Sequence, residues 1–333
     1  MKILIVGVGS IGERHTRCFS DIQGVDVGIC DLDIELVEEV GEKYGIGEIG
    51  GGIDEMDISS FDAAVICTPA NTHIPIARML SNYDLHLLIE KPLSTSIDGV
   101  EDIIEISENS QKIVSVGYVF RSDEVLVSMR EALMSGKFGV ALHIIGSAGH
   151  FFPFYRPKYN ETYYVDREQG GGAVQDAMTH MINAAEWLVG PVTKLVADVE
   201  HKFLKNSNVE DTVNVITRHE EVLGSYSLNQ YQMPNETVLT VICSEGSLRY
   251  EKNLGRWLSS TVPGQDWKVE FSGGTIISGQ KLPDGPFITQ ARSFINAINN
   301  GGEPVCSLRE ALQTLKVDLA ILKSGSDGIW IDV

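Results

Sequence analysis

Basic residues are in short supply in this 333-residue chain: 26 Lys and Arg stand against 46 Asp and Glu, a formal net charge of −20. A field of that sign repels polyanions, so DNA, RNA and anionic membrane surfaces are excluded as expected partners. Long apolar runs are missing too. The first six residues are apolar apart from Lys2, but the run breaks at Gly7, too early for a signal-peptide core or a membrane span. Cysteines are few, odd in number and scattered (Cys18, Cys30, Cys67, Cys243 and Cys306), with no zinc or redox spacing among them. They are expected to be reduced structural thiols. There is no H-E-x-x-H or paired-cysteine ligand set, so no metal is expected. The sequons at Asn160 and Asn235 have no secretion signal beside them and are read as chance. These absences together describe a cytoplasmic protein. No internal repeat or low-complexity tract is visible either.

What is present is an ordinary globular balance, 43% hydrophobic and 22% charged, in a chain long enough for two domains. The first third alternates short apolar runs (2–6, 25–30, 61–67, 86–89, 113–116) with amphipathic stretches (11–20, 34–44, 74–81, 97–109). Apolar runs separated by helices imply a parallel sheet covered on both faces, a doubly wound α/β Rossmann domain. After residue 120 the texture changes. Helices are expected at 122–135 and 173–189, and β-rich runs at 195–199, 212–218, 224–229, 238–243 and 247–250, punctuated by turn residues. Two more helices, 287–299 and 308–324, close the chain. The second domain therefore reads as α+β with one large, mostly antiparallel sheet. Expected boundaries are 1–120 and 121–333, with the closing helices packing back on the first domain.

Gly7-Val-Gly9-Ser10-Ile11-Gly12 follows the first strand and opens the first helix. Gly7 permits the tight turn, Gly9 lets the backbone approach a pyrophosphate, and Gly12 allows close helix–strand packing. The helix N-terminus supplies oriented N–H groups and a positive dipole end. Such a glycine pattern is weak alone, but here its context is right on both sides, and Asp31 ends the second strand about twenty residues further on. A carboxylate there accepts hydrogen bonds from both adenosine ribose hydroxyls and repels a 2′-phosphate. Leu32 and Asp33 offer no arginine to welcome that phosphate. NAD(H) is therefore favoured over NADP(H).

Further motifs sit at Thr68-Pro69-Ala-Asn71-Thr-His73, at Ile89-Glu90-Lys91-Pro92-Leu93, and at Gly170-Gly-Gly-Ala-Val-Gln-Asp176-Ala-Met178-Thr-His180. Taken with the glycine fingerprint and the closing 294–301 segment, they resemble the glucose–fructose oxidoreductase / inositol dehydrogenase (Gfo/Idh/MocA) family over essentially the whole chain. On its own, a lysine after a strand is usually a solvated charge. Lys91, however, lies at the carboxyl end of a parallel strand, where open α/β sheets place their ligands. The resemblance implies that its bond to Pro92 is cis and that Lys91 hydrogen-bonds the reacting hydroxyl. Glu90 then positions Lys91 or the nicotinamide ribose.

Asp176 and His180 are four apart on the expected helix and share a face with Asn183, roughly opposite the apolar stripe of Val174, Met178, Met181, Ala185 and Leu188. By itself this is an ordinary solvated face. The preceding triple glycine suits close backbone approach, and an imidazole titrates near the operating pH. The resemblance makes His180 the general acid/base and Asp176 its orienting or substrate-holding partner. Met178 and Asn183 depart from the common family pattern, where glycine and aspartate are usual, and so affect the expected shape and polarity of the pocket.

Asn71 and His73 are expected to border the cofactor, together with Thr68, Pro69, Ser10 and Ile11; for His73 a purely structural role is equally open. Tyr118 and Arg121 resemble a family segment leading into the substrate domain. Between them and the triple glycine lies an aromatic, locally basic stretch with Tyr155, Arg156, Tyr163, Tyr164 and Arg167. It is read as a specificity loop, or else as a packed connection. Aromatic faces stack on sugar C–H surfaces and arginine binds carboxylate or phosphate bidentately, which hints at an anionic sugar. The expected activity is hydride transfer between a sugar or polyol carbinol and NAD, by a homodimer or homotetramer. The alternatives are glycoside cleavage through transient oxidation by NAD, and a non-catalytic NAD- and sugar-binding regulator.

Overall fold

The computed structural model describes residues 1–273 and 284–333. They divide into two compact units, Met1–Val119 with Pro286–Leu312, and Phe120–Gly285 with Gln313–Val333.

The first unit is built on strands β1 (Lys2–Val6), β2 (Asp26–Cys30), β3 (Glu48–Gly50), β4 (Ala63–Ile66), β5 (His86–Ile89) and β6 (Val114–Val116). They form one parallel sheet in the order β3-β2-β1-β4-β5-β6. Ile3, Ile5, Ile29 and Leu88 have no exposed surface, which is why these strands read as unbroken apolar runs rather than as an alternation. Helices α1 (Ser10–Ser20), α2 (Ile34–Tyr44), α3 (His73–Leu80) and α4 (Val100–Asn109) connect the strands. Ala291 and Phe294 of a late helix join the same core.

The second unit carries helices α5 (Glu124–Met134), α6 (Phe152–Tyr155) and α7 (Thr179–Val189) and strands β7 (Ala141–Phe151), β8 (Lys194–Glu200), β9 (Thr212–His219), β10 (Val222–Asn229), β11 (Tyr231–Cys243), β12 (Gly246–Glu251), β13 (Arg256–Ser260), β14 (Lys268–Ser272) and β15 (Ile331–Asp332). The closing helices are α8 (Gly285–Asn300), which holds Ala291 and Phe294, and α9 (Leu308–Asp327). The nine strands run in the order β14-β13-β12-β11-β7-β10-β9-β8-β15, antiparallel except for the parallel pair β7–β10. One face packs against α5, α7 and α9 through Met129, Met181, Leu188 and Ile321 on Tyr226, Leu239 and Tyr250. Burying each such side chain contributes roughly 1.5–3 kcal/mol. Leu142, Ile145, Ile216 and Leu223 stand exposed on the sheet.

Both sheets match the expected fold class, but the short strands β3, β13, β14 and β15 were not expected, and two larger differences from the sequence reading stand beside them. Strand β7 lies at the centre of the second sheet and was not expected at all. Its glycines and small residues weaken any strand signal. A Cβ at Gly146 would overlap the Met181 sulfur and sit 2.6 Å from Tyr226, so glycine is what lets α7 lie directly on the strand. The expected helix over 173–189 is not uniform either: Val174–Met178 is a π-helical turn before α7 begins. A fixed advance of 100° per residue misplaces side chains through such a turn.

Candidate active site

In the first unit the glycine fingerprint is a built cradle. Gly7 has φ +86°, and a Cβ on Gly12 would overlap the Gly7 carbonyl oxygen. Strand and helix can approach this closely only without those side chains. At Gly9 a Cβ would meet nothing within 4 Å, so that position faces open space. No side chain caps α1, whose first residues Ser10 and Ile11 leave their amides to an incoming anion. Asp31 is held at the same turn: Oδ2 accepts the Val8 N–H at 2.7 Å and Oδ1 the Asp33 N–H at 3.0 Å. Each oxygen retains lone-pair capacity for a ribose hydroxyl. The residues fit a dinucleotide: an uncapped helix N-terminus for the pyrophosphate and a fixed carboxylate for the ribose.

The loops after β4 and β5 are tied together by His73. Its buried ring spans the Pro92 carbonyl (Nδ1, 3.0 Å) and the Thr68 carbonyl (Nε2, 2.8 Å). Burial lowers its pKa and outweighs the two carbonyls and the Glu90 charge, which act the other way. Thr68 accepts a bond from Thr72, and Pro69 and Asn71 are exposed on the same turn. The Lys91–Pro92 bond is cis, and Lys91 is partly exposed at the end of β5. Glu90, 4% exposed, accepts the Lys91 N–H at 3.0 Å and bonds His15 Nε2 at 2.7 Å. Burial alone would push this carboxyl up; the bond to His15 and the fields of His15 and Lys91 outweigh it and hold the group below its usual range. His15 was missed in the sequence. Its signal was there: Gly12, His15, Thr16 and Phe19 form a buried stripe at helical spacing, with an ionisable group set in it.

In the second unit, Asp176 lies in the π turn and His180 in the first turn of α7. Both are partly exposed. The Tyr163 hydroxyl donates to Asp176 Oδ1 at 3.4 Å. Burial and the Asp176 charge push that phenol well up, so it stays protonated as a donor. The His180 ring stacks on Phe120, centroids 5.1 Å apart and planes within 14°, and the Lys252 ammonium lies 4.8 Å from the Phe120 centroid. A second histidine that the sequence reading passed over, His150 at the end of β7, feels the fields of Asp176 and Arg156. Burial lowers its pKa, with Asp176 opposing and Arg156 assisting.

Three expectations are corrected in this unit. The close approach allowed by the triple glycine is to the protein's own backbone: a Cβ on Gly171 would overlap the Tyr163 carbonyl and press on those of Tyr164 and Asp166 at 2.7 Å. Gly172 (φ +97°) lies against the Glu210 carboxylate, which also takes the Val174 N–H at 2.9 Å and pairs with Arg167. Asn183 does not share a solvated face with Asp176 and His180. It is buried, accepts Arg121 Nε at 2.8 Å and donates to Thr314. Met178 is likewise fully buried core, so the two departures from the family pattern build the interior of the unit. Arg121 is only 5% exposed and Tyr118, in the first unit, 0%. Tyr155 packs its ring edge on His150 at 5.9 Å, while Arg156 gives Nε to the Tyr164 hydroxyl and Nη1 to the Tyr155 carbonyl. Among the described residues no cluster of three His, Cys, Asp or Glu side chains stands ready for a metal, and no helix is long and apolar enough to cross a membrane.

Comparison with known proteins agrees with both halves. Residues 1–118 match the family model of the oxidoreductase family with an NAD-binding Rossmann fold, and residues 126–249 match the GFO/IDH/MocA C-terminal domain. The chain belongs to the Gfo/Idh/MocA family of oxidoreductases, and its cofactor is NAD. Among curated proteins it is similar to D-apiose dehydrogenase of Paraburkholderia graminis, 23% identical with 100% of this chain and 89% of the relative covered. It is also similar to 4-carboxy-2-hydroxymuconate-6-semialdehyde dehydrogenase of a Sphingobium species, 23% identical over 95% and 96% of the two chains. Among solved structures, levoglucosan dehydrogenase in complex with NADH and levoglucosan superposes with a TM-score of 0.89 at 19% identity, covering 100% and 99%.

Proposed function

We propose that this oxidoreductase transfers a hydride between a carbinol carbon of a sugar or polyol and the nicotinamide of NAD. Gly7, Gly9, Ser10, Ile11, Gly12 and Asp31 hold the cofactor, with Thr68, Pro69, Asn71 and Glu90 bordering it. NAD, when bound, supplies the hydride acceptor or donor. His180 takes the carbinol proton, its ring plane set by Phe120. Lys91 donates a hydrogen bond to the oxygen as it becomes an alkoxide. Asp176 and Tyr163 act as a pair that holds a neighbouring hydroxyl. The observation that carries this reading is that pair: a carboxylate and a phenol, one acceptor and one donor, beside the proton-carrying His180. Such a pair suits a polyhydroxylated substrate.

D-apiose dehydrogenase and levoglucosan dehydrogenase act on sugars by name, which supports the same substrate class. The fork of Arg156 is engaged by its own loop, and this favours a neutral sugar over an anionic one. The carboxylated substrate named for the Sphingobium relative makes the comparison worth measuring. A cytoplasmic setting is supported by five buried cysteines, odd in number and scattered along the chain, which suit reduced structural thiols. A homodimer or homotetramer is supported by the apolar residues Leu142, Ile145, Ile216 and Leu223 left exposed on the second sheet.

The test is a screen of neutral sugars, polyols and uronates with NAD, read as NADH formed, repeated with Lys91→Ala and His180→Ala. Net NADH with one neutral class is expected, and a fall in kcat of about 10²–10⁴-fold in the His180 variant. Turnover without net NADH would favour glycoside cleavage instead. Either variant keeping its full rate would overturn the assigned roles.

A further inference from the structure

Nothing in the reaction assigned above calls on His15, although it is a fully buried imidazole three residues beyond the cofactor fingerprint. Its ring lies between Phe19 (stacked, 6.1 Å) and Phe287 of α8 (edge-on, 5.8 Å). Nε2 reaches Glu90 Oε1 at 2.7 Å, and Oε2 of that carboxylate takes the main-chain N–H of Lys91 at 3.0 Å. On the far side, just past β6, a Cβ on Gly117 would sit 2.9 Å from Glu90 Oε1, so glycine there leaves the carboxylate its space. A buried carboxylate is unfavourable unless partnered, and an apolar pair of similar volume would serve the fold at least as well. The arrangement makes sense if the carboxylate is wanted for its charge behind Lys91.

We propose that His15 is a positioning residue which acts on Lys91 through Glu90. His15 keeps Glu90 in place and ionised; Glu90 fixes the backbone from which Lys91 projects, and its charge favours the ammonium form that donates to the substrate oxygen. The titratable groups facing Glu90 are His15 on α1, Lys91 itself, Cys67 at the end of β4 and His73 on α3. Burial, reinforced by Glu90, pushes the Cys67 thiol far up, and burial lowers His73, so at neutral pH neither competes with His15 for the carboxylate. This inference rests on the role proposed for Lys91, but its test does not need turnover.

Lys91 is acetylated competitively with acetic anhydride in the full-length protein, with and without NADH, and its labelling is compared with that of an exposed lysine by peptide mass spectrometry. Loss of the negative charge frees more neutral amine, so His15→Leu and Glu90→Gln are each expected to raise Lys91 labelling at neutral pH by about threefold, the equivalent of half a pKa unit. His15→Gln keeps an N–H donor and should stay near wild type. Gly117→Ala crowds the carboxylate without touching either partner and should follow the leucine variant; with Glu90→Gln it decides the matter if His15→Leu does not fold. Unchanged labelling in Glu90→Gln and Gly117→Ala overturns the proposal, as does a glutamine variant that behaves like leucine. If Lys91→Ala instead keeps its activity while the labelling shifts appear, the catalytic reading falls and the positioning stands.

Discussion

The two glycine clusters look alike in sequence and do opposite things. In the fingerprint of Gly7, Gly9 and Gly12, the outer two are filled by neighbouring backbone and the middle one opens on nothing within 4 Å. In the triple glycine that begins at Gly170, the missing side chains of Gly171 and Gly172 make room for the chain itself: the carbonyls of residues 163, 164 and 166, and the carboxylate of Glu210. The first cluster clears space for a ligand. The second clamps an aromatic loop to the start of a helix and thereby delivers the Tyr163 hydroxyl to Asp176. A glycine's purpose is thus defined by what its absent Cβ would touch, which the sequence does not state.

That contrast can be broken at three places. The largest effect is expected from Gly171→Ala. Forcing a methyl against three carbonyls should cost about 2–3 kcal/mol. At this domain size that is roughly 4–12 °C in Tm. NADH affinity, measured by fluorescence titration, should stay within twofold, and a matching loss of NADH binding would mean the second cluster also serves the cofactor. Gly9→Ala should do the reverse. Its melting should stay within about 0.5 kcal/mol of wild type. Its Kd for NADH should rise about tenfold as the methyl intrudes on the pyrophosphate, a change of about 1.4 kcal/mol. Unaltered affinity would refute the ligand-facing reading. The smallest effect belongs to Tyr163→Phe, which leaves the clamp intact and removes one long hydrogen bond. A loss of about 0.5–1 kcal/mol should appear in kcat/KM and not in Tm. A fall in Tm without a kinetic change would make the tyrosine structural.

How much was legible follows from how local each signal is. The parallel sheet, the fingerprint and Asp31 depend on short-range patterns and could be read directly. Lys91 needed the family resemblance to stand out from ordinary surface lysines. Strand β7 escaped because Gly146 and Gly149 are chosen for what crosses them, Met181 and Gln232, and not for strand propensity. The π turn escaped because helical periodicity assumes one pitch. Asn183 was read as part of a solvated face and Arg121 as part of the segment leading into the substrate domain, since only the fold brings one to the other and to Thr314. His15 was a single polar residue in an apolar stripe, and its partner lies 75 residues away.

The short bond from the Val8 amide to Asp31 carries a consequence for redesign. Exchange of this aspartate is the obvious route to admitting a 2′-phosphate, yet the same carboxylate braces the turn from which the cofactor loop departs. Cofactor preference and loop rigidity therefore share one side chain. A replacement that welcomes NADP(H) must also offer Val8 an acceptor, or the enzyme gains a second cofactor only by loosening its grip on both.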